Sequence, residues 1–178
     1  MKFEELHTER LILRKITPEV LSYVHATLND DALLEFFGTD EKGLEKQKDK
    51  FAKGMVTFNR TFTNFQLLDK MSRKVIGNCG FHTWYPLHNR AEIGYDITES
   101  YRRKGLMTEA VDAVLNYGFN QMGLHRVEAL TATYNDASMK IIQHFNFSLE
   151  GTLREHYNVD GVMEDSVMYS LLRHEYEG

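Results

Sequence analysis

The spacing of apolar positions changes along the chain, and each change marks an element. Leu11-Ile12-Leu13 is a short apolar run stopped by Arg14-Lys15, the pattern of a strand. Thr17-Pro18 then offers a helix N-cap with proline at the first helical position, and Val20, Leu21, Val24 and Leu28 follow at helical spacing. From Gly43 to Phe58, the residues Leu44, Phe51, Met55 and Phe58 share one helical face while Lys46, Lys48, Asp49 and Lys50 keep the other wet. Strand patterns take over at Phe62 to Leu68 and Val75 to Phe81, an antiparallel pair around the polar turn Asp69 to Lys74. Arg90 to Ile97 is a third strand, entered through the turn-like Pro86-Leu87-His88-Asn89.

In the middle of the chain the period lengthens. Val111, Val114, Leu115, Gly118 and Met122 mark an amphipathic helix, and Val127 to Thr133 then alternates as a strand. A further helix, Ala137 to Phe145, leads into two closing strands, near Phe147 to Tyr157 and Asp165 to Leu172, joined by a turn at Val159 to Val162. The order is a meander, one crossover and a final hairpin, with no linker or internal repeat, so one domain over residues 1–178 is expected.

Composition narrows the class. With 178 residues, 42% of them hydrophobic and 26% charged, the chain has the makeup of a globular domain whose core needs neither metal nor disulfide. The lone Cys79 has no partner for a bridge within the chain, sits in an apolar stretch that reads as a buried strand, and fits a reducing cytoplasm. No apolar run approaches the ~20 residues of a membrane helix, and the polar start does not resemble a signal peptide, so no membrane partner is expected. The eight histidines lack zinc-ligand spacing, and no metal is expected. A net charge of -5 disfavours direct nucleic-acid binding and makes the one concentrated basic spot, Arg102-Arg103-Lys104, stand out.

That spot lies where the chain passes from a strand end, Ile97-Thr98, into a helix start. A helix N-terminus presents unpaired backbone NH groups and the positive end of the macrodipole, so it attracts phosphate, and Gly105 lets the backbone come close to a ligand. A solvated basic turn is the competing reading. The segment is neither a Walker loop nor a G-x-G-x-x-G fingerprint, which argues against nucleotide hydrolysis and hydride transfer.

Here the sequence resembles the GCN5-related N-acetyltransferases (GNAT), whose signature Arg/Gln-x-x-Gly-x-Gly/Ala is matched by Arg102 to Met107 except at its last place. The resemblance extends through Thr8 to Arg14, Ala91 to Tyr95, Asn135-x-x-Ser138 to Phe147, Glu150-Gly151, and Asp160-Gly161 with Asp165, and is similar to the branch of ribosomal-protein alanine and serine N-terminal acetyltransferases. It implies an α/β (α+β) fold: a mixed, mostly antiparallel sheet of about seven strands flanked by about four helices, with a splayed strand pair forming the cofactor cleft. It further implies acetyl-CoA as cosubstrate. The pyrophosphate would be held by the loop of Arg102, Arg103, Lys104, Gly105, Leu106, Met107 and Thr108, and the pantetheine arm by backbone near Ile97 and Thr98 and by Asn135. Met107 replaces the usual small residue and fits if its side chain turns into the helix packing.

On the strand from Arg90 to Ile97, Glu92, Gly94 and Asp96 share one face, and acid, glycine, acid suggests an open cleft. By resemblance Glu92 is the general base; its plain alternative is a solvated residue or a partner of Arg90. Asn135 and Ser138 are also ordinary capping residue types. Many relatives carry a proton-donating tyrosine four residues after the serine, where this chain has Ile142, so the acid role either vanishes or moves to Ser138, which by resemblance sits near the cofactor sulfur, or to a water it holds, with Tyr134 a weaker candidate. The expected reaction is direct attack of a primary amine on the thioester in a ternary complex. A protein N-terminal α-amine leads as acceptor; a polyamine or aminoglycoside, met by Asp30, Asp31, Glu35, Asp40 and Glu41, is the alternative. A non-catalytic acyl-CoA-binding module is a second class, Trp84-Tyr85 are candidates to line a substrate mouth, and a homodimer stays open.

Overall fold

The computed structural model describes residues 2–54 and 60–176. One sheet runs through it in the order β1-β2-β3-β4-β5-β6-β8-β7. Its strands are β1 (Glu5–His7), β2 (Leu11–Ile16), β3 (Thr61–Asp69), β4 (Val75–Tyr85), β5 (Arg90–Ile97), β6 (Arg126–Ala132), β7 (Ser148–Val159) and β8 (Val162–Leu172). The helices are α1 (Pro18–Thr27), α2 (Asp30–Phe37), α3 (Glu41–Ala52), α4 (Leu106–Asn120), α5 (Asp136–His144) and the short α6 (Arg173–Tyr176). The mixed, mostly antiparallel α/β architecture is the one the sequence implies, with eight strands and six helices among the described residues. The additions are small elements, β1, α2 and α6, too short for a periodic signal. The third helix begins at Glu41, where Asp40 caps it by accepting from the Gly43 amide at 2.8 Å, and ends at Ala52; Met55 and Phe58, expected on its face, lie outside the described residues.

The two faces of the sheet carry separate cores. On one, α4 and α5 cover Leu11, Leu13, Phe65, Leu67, Cys79, Phe81, Ala91, Ile93 and Val127. On the other, α1, α2 and α3 close over Ile16 and Phe62 with Leu21, Val24, Leu33, Phe36 and Leu44. Alternation along the strands produces this partition: successive residues point to opposite faces, so β3 sends Phe65 and Leu67 one way and Phe62 the other. Gly118 lets α4 lie close on the sheet, because a Cβ there would stand 2.5 Å from the Phe81 ring.

One junction in the sheet is parallel. β5 and β6, joined through α4, pair only at Arg90↔Arg126, Ala91↔Val127 and Glu92↔Glu128. Beyond Glu92, β5 stays with β4 as far as Ile97, and β6 stays with β8 as far as Ala132. The sheet therefore forks at Glu92, and the fork opens toward the ends from which α4 and α5 begin.

Candidate active site

At the mouth of the fork, the chain leaves β5, makes one 3-10 turn and enters α4. Gly105 is the N-cap of α4 at φ +74°, and Arg103 is also left-handed at φ +59°. No side chain caps this helix. Its first-turn amides therefore keep their donors, as helix geometry requires, and Arg102, Arg103, Lys104 and Gly105 around them are exposed. Met107 turns inward and packs against the core, as its side chain must for the loop to stay open.

The loop is braced from the start of the chain. Glu109, in the first turn of α4, accepts from Thr8 Oγ1 at 2.6 Å, from the Arg10 amide at 2.7 Å and from Arg10 Nε at 2.7 Å. Arg10 Nη1 also donates to the Lys104 carbonyl at 2.8 Å. Burial pushes the Glu109 carboxyl up, but the hydrogen bonds from Thr8 and Arg10 outweigh it and hold the group below its ordinary pKa. Thr8 and Arg10 thus shape the turn through Glu109, a link between positions about a hundred residues apart that no local pattern reveals.

Inside the fork, Tyr95 of β5 reaches across to α5, its hydroxyl 2.9 Å from Ser138 Oγ. Asn135 is the α5 N-cap and accepts from the Ser138 amide at 3.1 Å, so its expected capping role is present. The Thr98 amide already donates to the Ile76 carbonyl at 2.7 Å, and Arg102 Nε donates to the Ile97 carbonyl at 3.3 Å. Ile97 keeps one lone pair for an incoming donor; the Thr98 amide has none to give. Ile142 is buried and apolar, and Tyr134 Oη is bonded to Glu164 at 2.6 Å, on the edge hairpin.

On the opposite face of β5, Glu92 sits on the last shared rung of the fork. Burial, and then the charge of Glu128 on the neighbouring strand, push its carboxyl up to about 7. The alternative pairing with Arg90 does not occur. Arg90 Nη1 goes to Glu128 at 2.9 Å and stacks on the Tyr85 ring, while Arg126 Nε meets Glu128 from the other side at 2.8 Å. Arg126 Nη1 also reaches Glu150 at 2.7 Å. Glu128 thus takes both nearby cations and leaves Glu92 without one.

The nearest cation precursor to Glu92 is His82 on β4, with Nδ1 3.7 Å from Oε2, and burial lowers the pKa of that imidazole. The next residue, Thr83, is left-handed at φ +49°, unusual for a β-branched side chain and placed at the break in register between His82 and Tyr85. His82 also lies over Gly94, whose missing side chain makes room: a Cβ there would stand 2.8 Å from Nε2. Sequence reading missed His82, Tyr95 and Glu128. The pairing His82↔Glu92 follows from the hairpin register, but only once the bulge is known. Cys79 is fully buried, and burial drives its thiol far above the usual range, so it is a packing residue.

A forked mixed sheet, a helix start at its mouth whose N-cap residue has no side-chain cap, and a carboxylate at the branch form the candidate site of an acyl-transfer enzyme. The chain belongs to the acetyltransferase (GNAT) domain family, whose profile it matches over residues 10–148, and it is an N-acetyltransferase. It is 32% identical to the uncharacterized N-acetyltransferase p20 of Bacillus licheniformis, over 98% of this chain and 99% of that one. Among solved structures, a GNAT-family acetyltransferase from Bacillus anthracis superposes with a TM-score of 0.68 at 24% identity, covering 96% of this chain and 99% of that one. More distant relatives are the ribosomal protein uS5 alanine N-acetyltransferase of Escherichia coli, 28% identical over 60% of this chain and 56% of that protein, and the spermidine N(1)-acetyltransferase of the same species, 23% identical over 92% and 87%.

Proposed function

We propose that this protein transfers an acetyl group from acetyl-CoA to the α-amine of a protein N-terminus, with both substrates bound together. The observation that carries the reading is Glu92: a carboxyl at the branch of the fork, with no Lys or Arg paired to it among the described residues and pushed up to about 7. A base of that strength is matched to an amine that titrates near neutrality. Deprotonating an α-amine of pKa ~7.8 at pH 7 costs about 1 kcal/mol, against about 4.6 kcal/mol for a lysine-type amine near 10.4.

The residues fit acetyl-CoA. Left-handed Arg103 and Gly105, the uncapped start of α4 and the exposed Arg102 and Lys104 form a cradle for a diphosphate. Bound there, acetyl-CoA supplies an activated thioester carbonyl. Backbone of Arg103 to Thr108 would hold its diphosphate; the Ile97 carbonyl and Asn135 would hold its arm. Glu92 takes the proton of the incoming ammonium, and His82 and Gly94 shape the acceptor side of the same face. Ser138 faces the fork from α5 as the hydroxyl nearest the leaving group.

The acids that would greet a polycation are partly occupied. Asp30 is paired with Lys48 at 2.6 Å, and Asp40 caps α3. This favours the α-amine over a polyamine or aminoglycoside. The test is thiol release from acetyl-CoA with peptides beginning in Ala or Ser, with spermidine, and with an aminoglycoside. Release proportional to peptide is expected; release with spermidine or aminoglycoside alone overturns the acceptor, and no release with any amine overturns the transfer.

A further inference from the structure

One turn into α5 after Ser138 stands Ile142, apolar and 2% exposed, so that place supplies no proton donor for a leaving group. α5 offers one hydroxyl, Ser138. A hydroxyl has a single proton, and where that proton points decides whether the group donates to a ligand or is spent on the protein. The Ser138 amide is held by Asn135, so its backbone is fixed, and the partner of its side chain is Tyr95 at 2.9 Å. A phenol is the stronger donor and an alkyl hydroxyl the stronger acceptor. At 2.9 Å either hydroxyl can donate, and those relative strengths favour the direction from Tyr95 Oη–H to Ser138 Oγ.

Resting on the acetyl-transfer reading above, we propose that Tyr95 is a positioning residue for the leaving group: its phenol occupies the Ser138 oxygen and turns the Ser138 proton toward the carrier sulfur. As the amine nitrogen bonds to the carbonyl carbon and the C–S bond breaks, the electron pair goes to sulfur. The Ser138 hydroxyl donates a hydrogen bond to that developing thiolate. Neither hydroxyl gives up its proton; the second proton, which the nitrogen loses on becoming an amide, passes to solvent, and the thiolate, of pKa ~8.5, takes one from solvent on release. Tyr95 suits the role because burial, ahead of other influences, raises its pKa and keeps it a donor through the working pH range. It also ties the two arms of the fork, so the donor is set before the carrier arrives. Tyr134 has no such access, since its hydroxyl is bonded to Glu164 on the far hairpin.

The test uses the full chain with Tyr95→Phe, which keeps the ring in the core, Ser138→Ala, and the double variant. A charge-assisted hydrogen bond of ordinary strength corresponds to a loss of about ten- to a hundredfold in kcat. Tyr95→Phe should lose about tenfold in kcat with the KM for acetyl-CoA within about twofold. The double variant should be no slower than Ser138→Ala, since both act through one proton. A binding measurement stands apart from turnover: calorimetric affinity for coenzyme A and for its desulfo analogue between about pH 7 and 9.5. A site that donates to thiolate binds coenzyme A more tightly as pH rises, relative to the analogue, and both single variants should lose that slope. Unchanged kcat and slope in Tyr95→Phe, or full multiplication of its effect on that of Ser138→Ala, overturns the proposal while transfer itself survives. Failure of the unaltered protein to bind coenzyme A at all overturns the acetyl-transfer reading and this one with it.

Discussion

Two carboxylates on adjacent strands meet at Glu92 and Glu128, and the cations divide unequally between them. Glu128 takes Arg90 and Arg126; Glu92 takes neither and keeps its proton to about pH 7. Two outcomes follow. The rate profile should carry an ascending limb near pH 7, and Glu92→Gln should erase it, lowering turnover at least tenfold with coenzyme A affinity unchanged by calorimetry; an unaltered profile removes Glu92 as base. The second concerns stability. The folded pKa lies above the ordinary 4.5, so between about pH 4.5 and 7 the folded state holds more protons than the unfolded one and stability falls as pH rises. Above about pH 7 the full cost of a buried charge is present. Discounted for the solvent that reaches the carboxyl, Glu92→Gln should stabilise the protein by about 1–2 kcal/mol at pH 8 and by almost nothing at pH 4, read from denaturant midpoints. At this scale the motif positions single out Glu92, Ser138 and Asn135, and the structure sets the last two side by side at the start of α5. The sequence was silent on Tyr95 and His82, whose roles come from partners on other elements.

Among the elements, the start of α4 was the most readable, because a basic run, a glycine and an amphipathic period coincide there. Its bracing was not, since Glu109 looks like any first-turn acid until Thr8 and Arg10 close on it. Gly105→Val should weaken coenzyme A binding at least tenfold by calorimetry. The left-handed φ costs a β-branched residue about 1–2 kcal/mol, and the added Cβ approaches Arg10 Nη2 at 3.5 Å. Glu109→Ala removes the brace but no ligand contact, so it should raise the KM for acetyl-CoA about three- to tenfold and leave kcat nearly intact. Loss of kcat with an unchanged KM would show that Glu109 serves some other end. The helix expected from Gly43 starts two residues sooner because Asp40 caps it, a signal present in the sequence but weaker than the apolar face that set the expected start.

For the whole molecule, the meander and the closing hairpin followed from period and turn chemistry, but the structure has two crossovers where one was expected: β5 reaches β6 through α4, and β6 reaches β7 through α5, past β8, which lies between them. The fork was expected from the family resemblance alone, because strand divergence is a property of two elements far apart in sequence that no local period carries. Its opening leaves backbone of β5 without a neighbour on one side, so coenzyme A should slow amide hydrogen exchange over residues 93–98 and 103–108 while β3 remains as protected as before. Equal slowing throughout the sheet would mean general tightening rather than insertion between the strands.

The contact of Thr8 and Arg10 with Glu109 joins the turn of the β1-β2 hairpin with a helix made some hundred positions later. Until that late segment emerges, the early hairpin has nothing to grasp, and the turn for the carrier has no fixed shape. If that turn grips the carrier as proposed, a nascent protein halted short of α4 would be deaf to metabolite.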